Sequence, residues 1–327
     1  MKILLTGGAG FIGSHVVDKY IEEGHEVVVV DNLSTGFRSN LNPKARFYEA
    51  DICDGRLVDE IFQRERPEVV NHHAAQMDVR RSVDDPVFDA TTNIIGSLNL
   101  ILSSVRHKIR KFIYISTGGA VYGEPQYLPV DENHPVNPES QYGVSKHTVE
   151  HYLYLYRHQS GLTFTVLRYP NVYGPRQNPK GEAGVIAIFI GQMLEGITPT
   201  IFGDGEQVRD YIHVDDVVRA NTLALTKGDN EILNFGTRVG TTVNGLYSLL
   251  SDLLSFRRKP NYVAPRTGEI QRIFLSAEKA YRQLGWESEI PIEKGMGLTL
   301  EWFKDKARAL HGGREPSTVP RGDSLKY

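Results

Sequence analysis

Cysteine is nearly absent: Cys53 is the only one in 327 residues. A single thiol forms no internal bridge, which excludes a disulfide-built fold and fits a reducing compartment. An excess of either charge is lacking too. There are 37 Lys and Arg against 40 Asp and Glu, a net charge of −3, so the basic surplus typical of nucleic-acid binders is missing. No apolar run approaches the roughly 18 residues of a membrane span, and the chain opens on a strand pattern with no signal peptide ahead of it. Internal repeats are absent. Hydrophobic residues at 40% and charged residues at 24% make an ordinary globular composition and argue against disorder. The expectation is a soluble, cytoplasmic protein with neither nucleic acid nor membrane as partner. The length suffices for about two domains and a core that needs no structural metal.

What is present is alternation. Short apolar strands at 3–6, 26–31, 47–50, 69–72, 111–116 and 163–168 interleave with helical stretches at 11–23, 56–64, 88–106 and 142–158. The unbroken run Val27 to Val30 reads as a strand covered on both faces. Such βαβ alternation implies an α/β fold with a doubly wound parallel sheet. The rhythm breaks after Arg168, where Pro170, Pro175, Pro179, Gly174, Gly181 and Gly184 crowd together and read as loop. Helices are expected over 185–195, 215–226, 243–254, 276–284 and 292–310, with strand-like pieces at 200–202 and 232–236. We expect residues 1–170, with about 212–238, to form one domain. Residues 171–211 and 239–310 would form a smaller, mixed α/β substrate domain, and 311–327 a mobile tail.

Directly after the first strand stands Thr6-Gly7-Gly8-Ala9-Gly10-Phe11-Ile12-Gly13. Gly7, Gly10 and Gly13 are spaced to bring the backbone onto a pyrophosphate at a helix N-terminus. The context of strand before, helix after and second strand next makes this a Rossmann dinucleotide signal rather than a plain turn. The second strand ends in Asp31, 18 residues past Gly13. A carboxylate there accepts from the adenine ribose hydroxyls and repels a 2′-phosphate, so NAD is expected over NADP.

Tyr142 and Lys146 are four apart on one helix and share a face. A nearby ammonium stabilises a phenolate and lowers the phenol's pKa from about 10. The pair would then take a proton from a sugar hydroxyl. A Tyr-x-x-x-Lys spacing alone is usually an ordinary surface pair. Here the preceding strand ends in Ser116-Thr117 at the sheet edge where open α/β folds bind ligands. Either hydroxyl is a candidate to orient the substrate oxygen, and Thr117 is preferred.

With these motifs in order, the chain resembles the extended short-chain dehydrogenase/reductases, and among them the UDP-glucose 4-epimerases. The resemblance is carried by residues 6–15, 31–36, 51–52, 72–76, 116–123, 142–146, 168–177 and 208–216, and spans roughly 1–310. It implies that Phe11, Ile12, Asp31, Asn32, Ser34, Gly36, Asp51, Ile52, Ala74, Ala75, Gln76, Asn93, Ser116 and Tyr169 line the NAD site with the three glycines. Lys146 would also hold the nicotinamide ribose. It further implies a UDP-hexose substrate: Asn171 at its phosphates, Val185 and Ile186 at a helix start facing the pyrophosphate, and Thr200 and Phe202 beside uracil. Arg209 and Arg266 would hold phosphate oxygens, and Glu269 the uridine ribose. Thr117, Tyr142 and Lys146 would be catalytic.

One departure matters. Many family members carry Ser or Thr three residues before the Val-Tyr-Gly of this loop, and here Gly118 stands there. Related dehydratases and decarboxylases place acids after the threonine, whereas Gly118 and Gly119 carry no proton-transfer group, so elimination is disfavoured. The family also places a gatekeeper against N-acetylated sugars at Ile273. A homodimer through the helices at 88–106 and 142–158 is the family expectation. No metal is expected: His72 and His73 alternate faces without a third ligand. His151 and His158 read as surface residues, and Cys53 as packing.

Overall fold

The structure, a computed structural model, describes residues 1–180, 184–266 and 270–310. The tail beyond 310 and Glu269 lie outside the described residues. The first half runs β1 (Lys2–Thr6), α1 (Phe11–Glu22), β2 (Glu26–Asp31), β3 (Arg46–Glu49), α2 (Gly55–Glu65), β4 (Val69–His72), α3 (Val79–Asp84), α4 (Pro86–Ala90), α5 (Gly96–Arg106), β5 (Lys111–Thr117), α6 (Gln141–Ser160) and β6 (Phe164–Tyr169). The second half runs β7 (Asn171–Tyr173), α7 (Val185–Leu194), β8 (Thr200–Phe202), β9 (Val208–Arg209), β10 (Tyr211–His213), α8 (Val214–Ala224), β11 (Glu231–Asn234), β12 (Thr241–Thr242), α9 (Val243–Leu254), β13 (Asn261–Val263), α10 (Glu278–Leu284) and α11 (Ile292–Leu310).

Seven strands form one sheet in the order β11-β6-β5-β4-β1-β2-β3, all parallel, with β1 seated between β2 (Leu4 opposite Val28) and β4 (Thr6 opposite His72). This is the Rossmann-like α/β fold that the alternation implies. The four valines of β2 explain its place inside the sheet, because both faces are covered. Val27 and Val29 join Val16, Val17 and Tyr20 of α1 in one core. Leu4 and Val30 join Phe62 of α2, Leu100 of α5 and Val149 of α6 in the other. A third cluster gathers Tyr173, Phe189, Tyr211, Leu246, Met296 and Phe303 away from the sheet. Polar anchors fix the seams. Asp216 in the first turn of α8 is wholly buried and accepts from the Ser288 hydroxyl and the backbone N–H groups of Glu289 and Ile290, tying the lead-in of α11 to the sheet domain.

Two stretches differ from the sequence reading. The helix expected over 88–106 is broken: α4 starts at Pro86 behind the Asp85 cap, residues 91–95 form a π-helical turn, and α5 resumes at Gly96. The wider turn points Asn93 inward, where its amide donates to Gln76 O (2.9 Å), Asp89 Oδ1 (3.0 Å) and Ser145 Oγ (3.1 Å). The stretch after Arg168 read as loop also holds β7, which pairs in parallel with β10.

Candidate active site

The nucleotide end is built from backbone. Gly7 has φ +73°, and a Cβ there would lie 2.7 Å from Ala74 N. A Cβ on Gly13 would fall 2.2 Å from the Gly7 carbonyl oxygen. The turn is therefore closed to side chains at both positions. Helix α1 begins behind Gly10 with no capping side chain, which leaves its first N–H groups free to meet an anion. Asp31, at the end of β2, is nearly buried and accepts from Ala9 N (2.9 Å) and Leu33 N (2.8 Å). Those bonds aim the carboxylate and leave lone pairs for a ribose diol. Asn32 Nδ2 donates to Asp51 Oδ2 (3.0 Å), and Gly36 packs on Ala9, where a Cβ would meet its backbone at 2.9 Å. Ser34 is exposed, its N–H on Asn32 Oδ1 (3.0 Å), and Phe11 and Ile12 open α1 half-buried. Ile52 is buried against Gly96. Gly7, Gly10, Gly13, Asp31 and Gly36 thus gather at one turn, a cradle whose free N–H groups and carboxylate could receive a dinucleotide.

The loop after β4 closes the cradle. Ala74 N donates to Thr6 Oγ1 (3.1 Å), and half-buried Ala75 leads to Gln76, whose N–H donates to Asn93 Oδ1 (2.8 Å) and whose side chain donates to Asp89 (3.0 Å). The Gln76 side chain is thus spent on Asp78 and Asp89, and the Asn93 side chain on the Gln76 backbone, Asp89 and Ser145. Their structural part is to shape the loop. His72 is held between Thr6 (2.7 Å) and Ser97 (2.9 Å). Burial, with Asp51 nearby, pushes the Cys53 thiol up to about 12, so it stays protonated and unreactive. His151 and His158 are exposed.

The catalytic candidates sit on α6 and at the end of β5. Ser140 caps α6, and Ser82 Oγ of α3 accepts from Tyr142 N (3.1 Å), so the first turn of α6 is fixed from two sides. Lys146 is 3% exposed and its ammonium lies 4.3 Å from the centre of the Tyr114 ring. Burial drives the lysine down to about 7, against the pull of Glu150 and Asp89. Tyr142 runs opposite to the sequence expectation: in the protein alone, burial and the charge of Asp89 hold its phenol above the usual range.

Ser116 and Thr117 part company here. Ser116 Oγ donates to buried Glu150 at 2.6 Å. Thr117 Oγ1 and Asn171 Oδ1 both face Gly119, 3.9 and 3.6 Å from where its Cβ would stand. At Gly118, the departure noted in the sequence, a Cβ would lie 2.3 Å from Leu275 Cδ1, so any side chain there would require that leucine to move. Tyr169 is buried, its hydroxyl accepting from Asn221 (2.9 Å) and its ring against Phe235.

Toward the other side, α7 starts behind Gly184 with no capping side chain, Val185 half-buried and Ile186 buried. The Arg266 guanidinium stacks 3.9 Å over the Phe202 ring, one strand residue beyond Ile201 and two beyond half-buried Thr200. Half-buried Arg209 lies on β9. The structure thus brings Phe202 and Arg266 together. Sequence reasoning missed Glu150, although the four-residue spacing of Tyr142 and Lys146 continues to it.

Residues 3–236 match the NAD dependent epimerase/dehydratase family. The chain belongs to that family. Its cofactor is accordingly NAD. The chain is 41% identical to the UDP-glucose 4-epimerase of Mycolicibacterium smegmatis, covering 94% of this chain and all of the relative. Among solved structures, a UDP-glucose 4-epimerase of Thermotoga maritima with UDP-glucose is similar at 53% identity and a TM-score of 0.93, covering 94% of this chain and 100% of that one. A UDP-N-acetylglucosamine 4-epimerase from Methanobrevibacter ruminantium, in complex with UDP-N-acetylmuramic acid, is similar at 33% identity and 0.88, covering 93% and 98%.

The Asp31 geometry sets an expected outcome for cofactor choice. NAD should bind more tightly than NADP, and Asp31→Ala should narrow the gap. Titration of the cofactor-stripped enzyme with each nucleotide checks both, and tighter NADP binding would remove the assignment.

Proposed function

We propose that the chain catalyses the reversible C4 epimerisation of a UDP-hexose, UDP-glucose to UDP-galactose, through a 4-keto sugar with NAD retained. The observation that carries this reading is the placement of Tyr142 and Lys146 on one face of α6, which packs Lys146 on Tyr114 and bonds Ser116 of β5, the strand that ends in Thr117, with glycine at 118 and 119. Bound NAD supplies the acceptor for the C4 hydride and the donor that returns it. Tyr142 takes the O4 proton and gives it back, Lys146 supports the phenolate with its ammonium, and Thr117 holds the sugar oxygen. Asn171, Val185, Ile186, Thr200, Phe202, Arg209, Arg266 and Glu269 address the nucleotide. Anchoring at UDP rather than at the hexose leaves the keto sugar free to turn its other face, so binding energy does not oppose the rotation.

A dehydratase or decarboxylase is the second reading. It lacks support in the loop, since neither glycine can move a proton and Leu275 fills the space next to Gly118. Ile273, the expected gatekeeper, is buried at 2% among Val121, Tyr122, Val130 and Leu275. The purified enzyme, given UDP-glucose or UDP-N-acetylglucosamine without added reductant, should return the matching galacto-sugar from the first. NADH released one per turnover, or a deoxygenated keto product, would replace this reading by a dehydrogenase or a dehydratase.

The same reading includes a homodimer. Val87, Ile95, Leu102, Val144 and Leu155 leave apolar side chains exposed on α4, the π turn, α5 and α6, a concentration that a monomer would leave wet. Light scattering should give twice the chain mass, and Leu102→Asp with Leu155→Asp should halve it. A cytoplasmic setting accords with the lone free Cys53. Among the described residues no helix is long and apolar enough to cross a membrane.

A further inference from the structure

We propose that Glu150 is a positioning residue for the Tyr142–Lys146 pair: its buried carboxylate gathers Ser116, Arg168 and His147, fixing the end of β5 against α6 and setting a negative charge one helical turn from Lys146. This rests on the reading of Tyr142 and Lys146 given above.

Glu150 is 2% exposed. Its Oε1 accepts from Ser116 Oγ (2.6 Å) and Arg168 Nε (3.0 Å), and its Oε2 accepts from the Arg168 terminal nitrogen (2.5 Å) and lies 3.1 Å from His147 Nδ1. Arg168 passes the connection on to the Tyr122 hydroxyl (2.7 Å), which donates to Asn234 Oδ1 (2.8 Å). One buried polar chain therefore crosses from β5 through α6 and β6 to β11. An arginine alone would satisfy a structural carboxylate. Ser116 is the residue just before Thr117, however, and holding its hydroxyl fixes where the strand ends. Gly118 N–H, bonded to Tyr169 O at 2.7 Å, fixes the other side of Thr117.

The second task concerns charge. Among the described residues no carboxylate lies within ion-pair distance of the Lys146 ammonium, which rests on the Tyr114 ring of β5. The charged groups that favour it are Asp89 from α4 and Glu150 from its own helix. The groups facing it from the end of β4, His72 and His73, are kept neutral, first by burial and then by the lysine itself, His73 at about 3. Burial pushes the Glu150 carboxyl up, but the bonds from His147, Arg168 and Ser116 outweigh it and hold it at about 2. The carboxylate is thus charged throughout the working range, and a buried ammonium with so few supporters depends on it.

The test is the pH profile of kcat for UDP-glucose conversion by the NAD-loaded enzyme, with melting temperature measured alongside. In Glu150→Gln the alkaline limb, where the ammonium is lost, is expected to move down by about one pH unit, with kcat at the optimum about tenfold lower. Glu150→Asp should leave the limb in place, because the charge remains. Ser116→Ala should lower kcat a few-fold with the limb unmoved. Glu150→Gln leaves the Arg168 charge unpaired, so the double variant Glu150→Gln, Arg168→Met serves if the single one does not fold; it removes both charges of the pair, so its limb should move by less than one unit, while freeing Ser116 should still lower kcat about tenfold. A folded single Gln variant with the wild-type limb, or a folded double variant with the wild-type kcat, overturns the proposal. Wild-type rates in both Tyr142→Phe and Lys146→Met would instead overturn the reading on which it rests.

Discussion

Tyr142→Phe is expected to lower kcat for epimerisation by about 10²- to 10⁴-fold, the usual weight of a lost proton-transfer group, with NAD and UDP-sugar still bound. The substitution keeps the ring and removes one oxygen. The backbone bond from Tyr142 N to Ser82 and the Ser140 cap remain, so α6 keeps its start. A lost hydrogen bond is worth about 0.5–1.5 kcal/mol, roughly a factor of 2 to 10, so a purely structural role cannot reach a hundredfold. The structure sharpens the expectation. Burial and Asp89 oppose ionisation of this phenol in the protein alone, so the base needs the Lys146 cation and the charge of a loaded cofactor site. Lys146→Met should therefore fall close to Tyr142→Phe in kcat, and Thr117→Val should lose more rate than Ser116→Ala. Steady-state rates at saturating UDP-glucose decide it. A Phe variant within tenfold of wild type removes Tyr142 as the base.

Much of this was legible in the sequence wherever the signal is local. The β-branched run of β2, the glycines after β1 and the 18 residues to Asp31 announce the cradle, because strand burial, turn geometry and loop length are set by neighbours in the chain. Tyr142 and Lys146 were singled out by helical spacing together with the Ser116-Thr117 strand end that precedes them. What stayed hidden depends on partners far away. The π turn at 91–95 exists because Asn93 reaches Gln76 and Ser145, 17 and 52 positions off. Strand β7 forms by pairing Asn171–Tyr173 with Tyr211–His213, inside a stretch whose prolines and glycines read as loop. The direction of the Tyr142 shift was missed for the same reason: helical spacing shows the lysine but neither the burial nor Asp89. The Leu275 side chain packed at Gly118, the departure from the family pattern, stands more than 150 positions along the chain.

Gly13→Ala is expected to strip the enzyme of NAD and to lower its melting temperature, although alanine is the better helix former. Gly13 lies in the first turn of α1, where propensity alone would favour Ala by about 1 kcal/mol. The added Cβ would stand 2.2 Å from the Gly7 carbonyl oxygen and 2.9 Å from its carbon. Those are backbone atoms of a turn packed closely on the next loop, since a Cβ built on Gly7 would itself lie 2.7 Å from Ala74 N. Overpacking of this kind costs about 1–3 kcal/mol, which overrides the propensity gain and falls on the atoms that would meet the pyrophosphate. NAD affinity should drop by at least about tenfold, the equivalent of 1.4 kcal/mol. Gly297→Ala is the matched control. It sits in α11, where a Cβ meets nothing within 4 Å, so the same substitution should raise stability by about 0.5–1 kcal/mol and leave NAD bound. Bound cofactor measured after gel filtration, with thermal unfolding of both variants, separates the two cases. A Gly13→Ala enzyme that keeps its full complement of NAD would show that the phosphate turn is held open elsewhere.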